Sequence, residues 1–294
     1  MQSQKYPLLV LPNPDQAEMF HLTPQQAGWD YLHVSVRHMR GGQAWEFDTA
    51  ENELALVVLG GVCSVASNRG SFPHIGRRPD VFSGMPYSLY LPRRTQFTVQ
   101  AASQDLEIAC AWCPTDQDHP TRLVTPPEVQ VEIRGGENAT RQINKMLPPG
   151  FDCHRLVAVE VYTPSGNWSS YPPHKHDVTR LDNNGALLEA DLEEIYFYKF
   201  NRPEGYAYQR VYSADGRLDE LMLVHENQLV LVPEGYHPVV AAHGYSAYYL
   251  NFLAGGVASL AATDDPQYTW VKSTWKDKDP RLPLVSMEME NQGI

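Results

Sequence analysis

The sequence predicts an all-β protein, built as two antiparallel barrels or sandwiches in tandem with few short helices. Two observations carry that expectation. Apolar residues alternate with period two in short runs closed by Gly, Pro, Asn and Asp, and one such run is echoed in the other half of the chain. A third removes competitors: helical periodicity is weak, and no GxGxxG or GxxxxGK[ST] phosphate loop occurs. With 294 residues, 43% hydrophobic and 20% charged, the chain is globular in composition and long enough for one large or two ordinary domains.

In chain order, ELALVVLGGVCSVAS (53–67), YSLYLPRRTQFTVQA (87–101), LEIACAWC (106–113), VQVEIRG (129–135) and RLVAVEVYT (155–163) read as strands. EEIYFYKF (193–200), AYQRVYS (207–213), QLVLVP (228–233) and SAYYLNFLAG (246–255) follow. Val, Ile, Tyr and Phe are dense in these runs, and the Gly-Gly pairs at 60–61, 135–136 and 255–256 mark turns. The best helical candidate is the short TRQINKMLP (140–148). SLYLPRRTQFTVQA (88–101) superposes on LVLVPEGYHPVVAA (229–242) with Pro92 on Pro233 and Ala101 on Ala242. Two similar β-domains meeting near RQINKMLPPGFD (141–152) explain the echo. The expected organisation is a first domain over 1–145, a second over 146–270 and a tail over 271–294 that packs on the barrels.

Net charge is −12 and the isoelectric point about 5.3, which argues against nucleic acid, where basic surface supplies most of the affinity. An anionic substrate must then be met by a local cluster of Arg or Lys. No run of about 20 apolar residues could span a membrane. MQSQKYPLLVLPNPD (1–15) lacks the features of a secretion signal, so the cytoplasm is the expected compartment. Four cysteines, 63, 110, 113 and 153, are too scattered for a disulfide scaffold, and the CxxC at 110–113 reads as packing near a strand end. A small molecule is the expected partner, and a homo-oligomer is allowed.

SSYPPHKHD (169–177) places His174 and His176 at i and i+2. On a helix that spacing turns them about 200° apart, whereas a strand brings both to one face roughly 7 Å apart. Tyr171 and Pro172 each precede a proline and are biased to extended backbone, which sets up such a strand. Further ligand candidates are Glu189, Glu193 and Glu194, then His237 in PEGYHP, then His243. A strand through 194–200 puts Glu194, Tyr196 and Tyr198 on one face and Ile195 and Phe197 on the other, which favours Glu194 over Glu193. Three neutral imidazoles and a carboxylate suit a divalent transition metal with positions left for substrate.

HxH, a Glu, then a Pro-x-Gly turn leading to a His resembles the metal pattern of cupins, small antiparallel β-barrels of jelly-roll type that hold one divalent ion. The longer runs GNWSSYPPHKHD, LEEIYFYKFNRPEGYAYQRVY and VLVPEGYHPVVAAHGYSAYYLNFLAG resemble the 5-deoxy-glucuronate isomerase family of myo-inositol breakdown. That family is built as two cupins in one chain and is related to 4-deoxy-uronate ketol-isomerases. The resemblance is close over the second half and thinner over the first, where LALVVLGG and PYSLYLPRRTQFTV fit.

The resemblance implies His174, His176, Glu194 and His237 as metal ligands, with zinc the first expectation and manganese, iron or cobalt open. Seventeen residues separate His176 from Glu194, more than in most cupins, so VTRLDNNGALLEADLEE must loop out, which keeps Glu189 as an outside ligand candidate. One residue rather than two separates Gly235 from His237, leaving His243 as a substitute. The first half lacks HxH and has Gln96 where the second has His237, so His33, His38 and His74 read as structural. The implied reaction turns the aldehyde of 5-deoxy-D-glucuronate into the ketone of 5-dehydro-2-deoxy-D-gluconate through an enediolate. Candidate bases are His243, Glu189 and Tyr196, and Tyr198 would also face the ion. For the substrate carboxylate, Arg210 leads over Arg180, Lys199 and Arg202. A cupin oxygenase and a non-catalytic sugar-acid-binding cupin are the alternatives, separated by oxygen uptake and by turnover.

Overall fold

The computed structural model describes residues 7–291, and its strands pair almost entirely within two sets. In the first, a six-stranded antiparallel sheet runs in the order Arg122–Val124, Tyr87–Leu91, Asn52–Gly60, Asp105–Pro114, His33–Arg40, Glu18–Leu22. A four-stranded sheet of Ala44–Asp48, Gln96–Ala101, Cys63–Ser67 and Gly70–Ile75 packs on it. In the second, the long sheet runs Leu9–Val10, Leu229–Val232, Leu187–Phe200, Ala247–Gly255, Val157–Thr163, Arg141–Leu147, Gln130–Arg134. Its four-stranded companion runs Trp168–Ser169, Val239–Ala241, Tyr206–Tyr212, Asp219–His225. Six strands of the second long sheet follow the order of the first, with Gln130–Arg134 added at its edge, and Gln96–Ala101 and the Val239–Ala241 strand hold equivalent places in the smaller sheets. The short echo in the sequence thus extends through the architecture.

Each half packs its sheets over a different interior. In the first, Leu54, Leu56, Val58, Leu89, Phe97, Val99 and Ile108 interdigitate in an apolar core. A second cluster joins the outer faces of the two large sheets, with Val34, Ala55, Val57 and Ala109 meeting Ile195 and Phe197, and Phe20 edge-on to Phe197 at 6.0 Å. Cys110 and Cys113 lie three apart on one strand and enter different clusters, so the CxxC is packing; burial raises both thiol pKa values.

Two buried carboxylates tie the halves together reciprocally. Glu193 accepts from the backbone N–H groups of Asp30, Tyr31 and Leu32, just before the strand His33–Arg40. Glu53 accepts from those of His154, Arg155 and Leu156, just before Val157–Thr163, and from the Tyr90 hydroxyl. Each glutamate closes N–H groups that no sheet partner satisfies. A fully buried ion pair, Arg78 with Glu160, adds a third link, and Tyr162 and Tyr248 hydroxyls satisfy the same carboxylate.

One local expectation is corrected and another takes a definite form. Residues 140–148 are not helical: Arg141–Leu147 is a strand between Gln130–Arg134 and Val157–Thr163. A register shift between Lys145 and Leu147 turns Met146 and Leu147 inward together, and the resulting i, i+3, i+4 spacing from Ile143 mimics a helix. The segment expected to loop out between His176 and Glu194 does so as a hairpin that pairs Asp177–Leu181 with the start of Leu187–Phe200. Its turn is held by the Asp182 carboxylate, which accepts from Asn184 and Ala186 N–H, while Gly185 takes φ +83°.

Candidate metal centre

His174 and His176 straddle the end of a two-residue strand, His174–Lys175, which pairs with Thr263–Asp264. Their rings fall on one side with centroids 6.5 Å apart, as strand spacing requires. Glu194 pairs with Val232 and projects with Tyr196 and Tyr198 to the barrel interior, while Glu193 turns the other way to its backbone clamp. His237 follows Gly235, whose φ of +88° and approach to the Tyr212 carbonyl leave no room for a side chain. These elements bring one ligand atom each of His176, Glu194 and His237 within 4.8 Å of one another, all buried. His174 stands at the edge of this trio, its ring 4.8 Å from that of His237.

The hydrogen bonds orient the imidazoles. Nδ1 of His176 lies 3.1 Å from the Leu192 carbonyl oxygen and Nδ1 of His237 2.9 Å from that of Gly235. Nδ1–H donating to these oxygens leaves each Nε2 as a lone pair, the form that binds a metal. Both lone pairs then face the Glu194 carboxylate, at 3.0 Å from His176 and 3.3 Å from His237, where acceptor would meet acceptor. Nε2 of His237 is buried with no hydrogen-bond partner among the described residues. A cation between these atoms resolves the conflict, so the residues fit a divalent ion. Burial pushes His174 and His237 down to about 3, so both are neutral at pH 7. For His176 burial acts downward too, but the Glu194 hydrogen bond and charge outweigh it and raise its pKa.

The remaining expected residues lie elsewhere. His243 is exposed on the turn after Val239–Ala241, facing Gly166, and is not part of the buried trio. Glu189 is buried, but its carboxylate is taken by Lys175 and by the Thr263 hydroxyl at 2.5 Å. Tyr196 is buried with its hydroxyl 3.0 Å from Ser170; burial and then the Glu194 charge hold its pKa well above the usual phenol value, which makes it a donor rather than a base. Tyr198 donates to Gln209 at 2.8 Å, deeper in the barrel. Arg210 points outward, because Gln209 and Val211 take the inward positions of Tyr206–Tyr212; it forks onto Asp219 at 2.7 and 2.8 Å. Arg180 is half exposed and donates to Thr263, and Lys199 pairs with Glu107 of the first half.

Comparison with known proteins identifies a family for the chain. The KduI/IolB family profile matches residues 9–271. The chain belongs to that family. A 5-deoxy-glucuronate isomerase of Geobacillus thermodenitrificans is 42% identical over 87% of this chain and 92% of its own length. One of Bacillus subtilis strain 168 is 34% identical over 85% and 91%. The crystal structure of an IolB-like protein from Salmonella typhimurium LT2 superposes with a TM-score of 0.86 at 38% identity, covering 90% of this chain and 99% of that one. Bacillus subtilis oxalate decarboxylase, described with Mn(II) centres, superposes at 0.59 with 12% identity over 89% and 80%, a likeness of the cupin fold alone.

Within this KduI/IolB member only the second half carries a His/Glu group that could hold an ion, among the described residues. Pairing register makes the difference explicit. Leu54 pairs with Leu91 as Glu194 pairs with Val232, so a leucine occupies the carboxylate's position in the first barrel. What sequence reading missed is on the cavity wall. A cleft of about 430 Å³ beside the trio is lined by His174, His176, Glu194 and Asp264, and also by Arg134, Arg141 and Lys272. Arg134 and Arg141 sit in the stretch read as a strand end followed by a helix, where no interior face was assigned.

Proposed function

We propose that this protein is a metal-dependent aldose–ketose isomerase that converts 5-deoxy-D-glucuronate into 5-dehydro-2-deoxy-D-gluconate. His176, Glu194 and His237 are its metal ligands and His174 completes the set. The observation that supports the site is the facing of two imidazole lone pairs and a carboxylate at 3.0 and 3.3 Å in a buried place. The substrate follows from family membership and from relatives 34–42% identical that bear the isomerase name. Zinc is the first expectation for the ion, ahead of manganese, iron and cobalt.

Moving the carbonyl requires a proton to leave the carbon beside the aldehyde and another to arrive at the aldehyde carbon. Enzymes lower such barriers by about 8–23 kcal/mol, and a positioned base supplies roughly 3–5 of them. A bound divalent ion supplies several more by stabilising negative charge on the carbonyl oxygen. The chain's own part is to carry the proton and exclude water. Asp264 lines the cavity outside the ligand trio and is the carboxylate we assign to the proton, with Lys272 hydrogen-bonded to it. Leu253, Leu260 and Ala262 make the dry wall.

The test is to purify the protein, identify its metal, and follow 5-deoxy-D-glucuronate by NMR under nitrogen. Isomerisation without oxygen uptake is expected, with loss of both metal and activity in His176→Ala and loss of activity alone in Asp264→Asn. A His176→Ala protein with full metal content and activity would refute the ligand assignment.

A further inference from the structure

The cavity beside the trio holds three cations, and their surroundings differ. Arg134 spends Nε and Nη2 on Glu132 at 2.7 and 2.9 Å. Lys272 is bound to Asp264. Arg141 has no such partner: no carboxylate among the described residues pairs with it, although the residue is only 5% exposed. Its Nη1 donates to the carbonyl oxygens of Tyr171 at 3.0 Å and Ala139 at 3.4 Å, which fixes the plane of the guanidinium. Its Nε and Nη2 find no acceptor among the described residues, yet they are not sealed in the core; they open to the cavity.

This arrangement costs stability, since a buried charge without a counter-charge is disfavoured. The cross-strand register adds to that cost by placing Arg141 directly opposite Arg134, like charge against like. Packing alone would be served better by an apolar residue here. Burial also acts to lower the Arg141 pKa, with Arg134 adding to the effect. A guanidinium held by one nitrogen, with the other two donors presented side by side to a cleft, matches the geometry of a carboxylate.

We propose that Arg141 receives the carboxylate of the sugar acid through Nε and Nη2, and so selects uronates over neutral aldoses. This rests on the isomerase reading, since the carbonyl end of the substrate must lie at His176, Glu194 and His237 while the acid end lies at Arg141. In this arrangement the cavity binds a six-carbon chain by its two ends. Arg141 is a specificity residue: it touches the end of the substrate that does not react.

The experiment compares the native protein with Arg141→Met and Arg141→Lys on two substrates. One is 5-deoxy-D-glucuronate, the other its neutral counterpart with a hydroxymethyl group in place of the carboxylate. Melting temperature and metal content are measured first, and Arg141→Met is expected to retain both. Its kcat/KM on the acid is expected to fall about 10²–10³-fold, mostly in KM, while that on the neutral sugar stays level. Arg141→Lys keeps the charge without the fork and is expected to lie between the two. A folded, metal-loaded Arg141→Met protein with the native acid-to-neutral ratio overturns the assignment; should that variant not fold, the same unchanged ratio in Arg141→Lys overturns it. Calorimetric binding of glucarate, a sugar diacid with no carbonyl to isomerise, is measured on metal-stripped native and variant proteins. Weaker glucarate binding in the variants supports Arg141 even if the native protein isomerises nothing, an outcome that refutes the isomerase reading alone. Equal glucarate binding in all three proteins counts against Arg141.

Discussion

Glu193 and Glu194 are neighbours in sequence that point to opposite faces of one strand, so converting each to glutamine should produce opposite defects. The Glu193 carboxylate accepts from three backbone N–H groups, at 2.5 Å from Asp30, 2.9 and 3.0 Å from Tyr31 and 2.7 Å from Leu32. Hydrogen bonds to a charged group contribute about 1.5–3 kcal/mol each, and Glu193→Gln replaces one acceptor oxygen by an NH₂ facing those donors. Burial raises the Glu193 pKa and the backbone donors offset this only in part, so removing the charge returns some of the cost. The net expectation is a loss of about 2–4 kcal/mol, or a melting point lower by roughly 3–6 °C for a chain of this size. Metal content and activity per folded molecule should stay native. Glu194→Gln takes the carboxylate from between His176 and His237, and should abolish metal binding and turnover without the Glu193→Gln drop in the melting point of the metal-free protein. Thermal melts of metal-stripped protein, elemental analysis and the NMR assay separate the cases. A Glu193→Gln protein that melts normally but has lost its metal would refute the assignment of the two faces.

Two further predictions concern stability. Arg78→Met strands the buried Glu160 carboxylate and should cost about 3–5 kcal/mol; Glu160→Gln in the same chain should recover part of it, which denaturant titration of both variants would show. In the metal-free protein burial holds His174 and His237 at about 3, against about 6.5 for a histidine in the unfolded chain. Below pH 6.5 the unfolded chain therefore takes up protons that the folded chain refuses, and stability falls with pH by up to about 1.4 kcal/mol per pH unit for each of the two, until about pH 3. The raised pKa of His176 acts in the other direction: its stabilisation is full at low pH and is lost as pH rises through the folded-state value. Urea midpoints that stay flat between pH 7 and pH 4 would contradict the burial of the two neutral rings.

Much of this protein could be read along the chain. Period-two alternation marked many of the strands, though not His33–Arg40, Ala44–Asp48 or Asp219–His225, and the match of Pro92 to Pro233 lies within a strand order that the two halves share. The parity of Glu194 with Tyr196 and Tyr198 was enough to choose it over Glu193, because a strand sorts its side chains by residue number alone. The same rule failed at 140–148, where a bulge breaks the alternation and two inward residues in succession look helical. Charge partners lay beyond reach for a different reason. Arg210 and Arg141 are alike as letters, and only the tertiary structure gives one an Asp219 across the strand and leaves the other at a cleft with no carboxylate paired to it among the described residues. Likewise the donors that Glu193 and Glu53 satisfy belong to the opposite half of the molecule. Local geometry is written in local spacing; neutralisation of buried charge depends on groups brought together from far along the chain, and folding alone decides which of them meet.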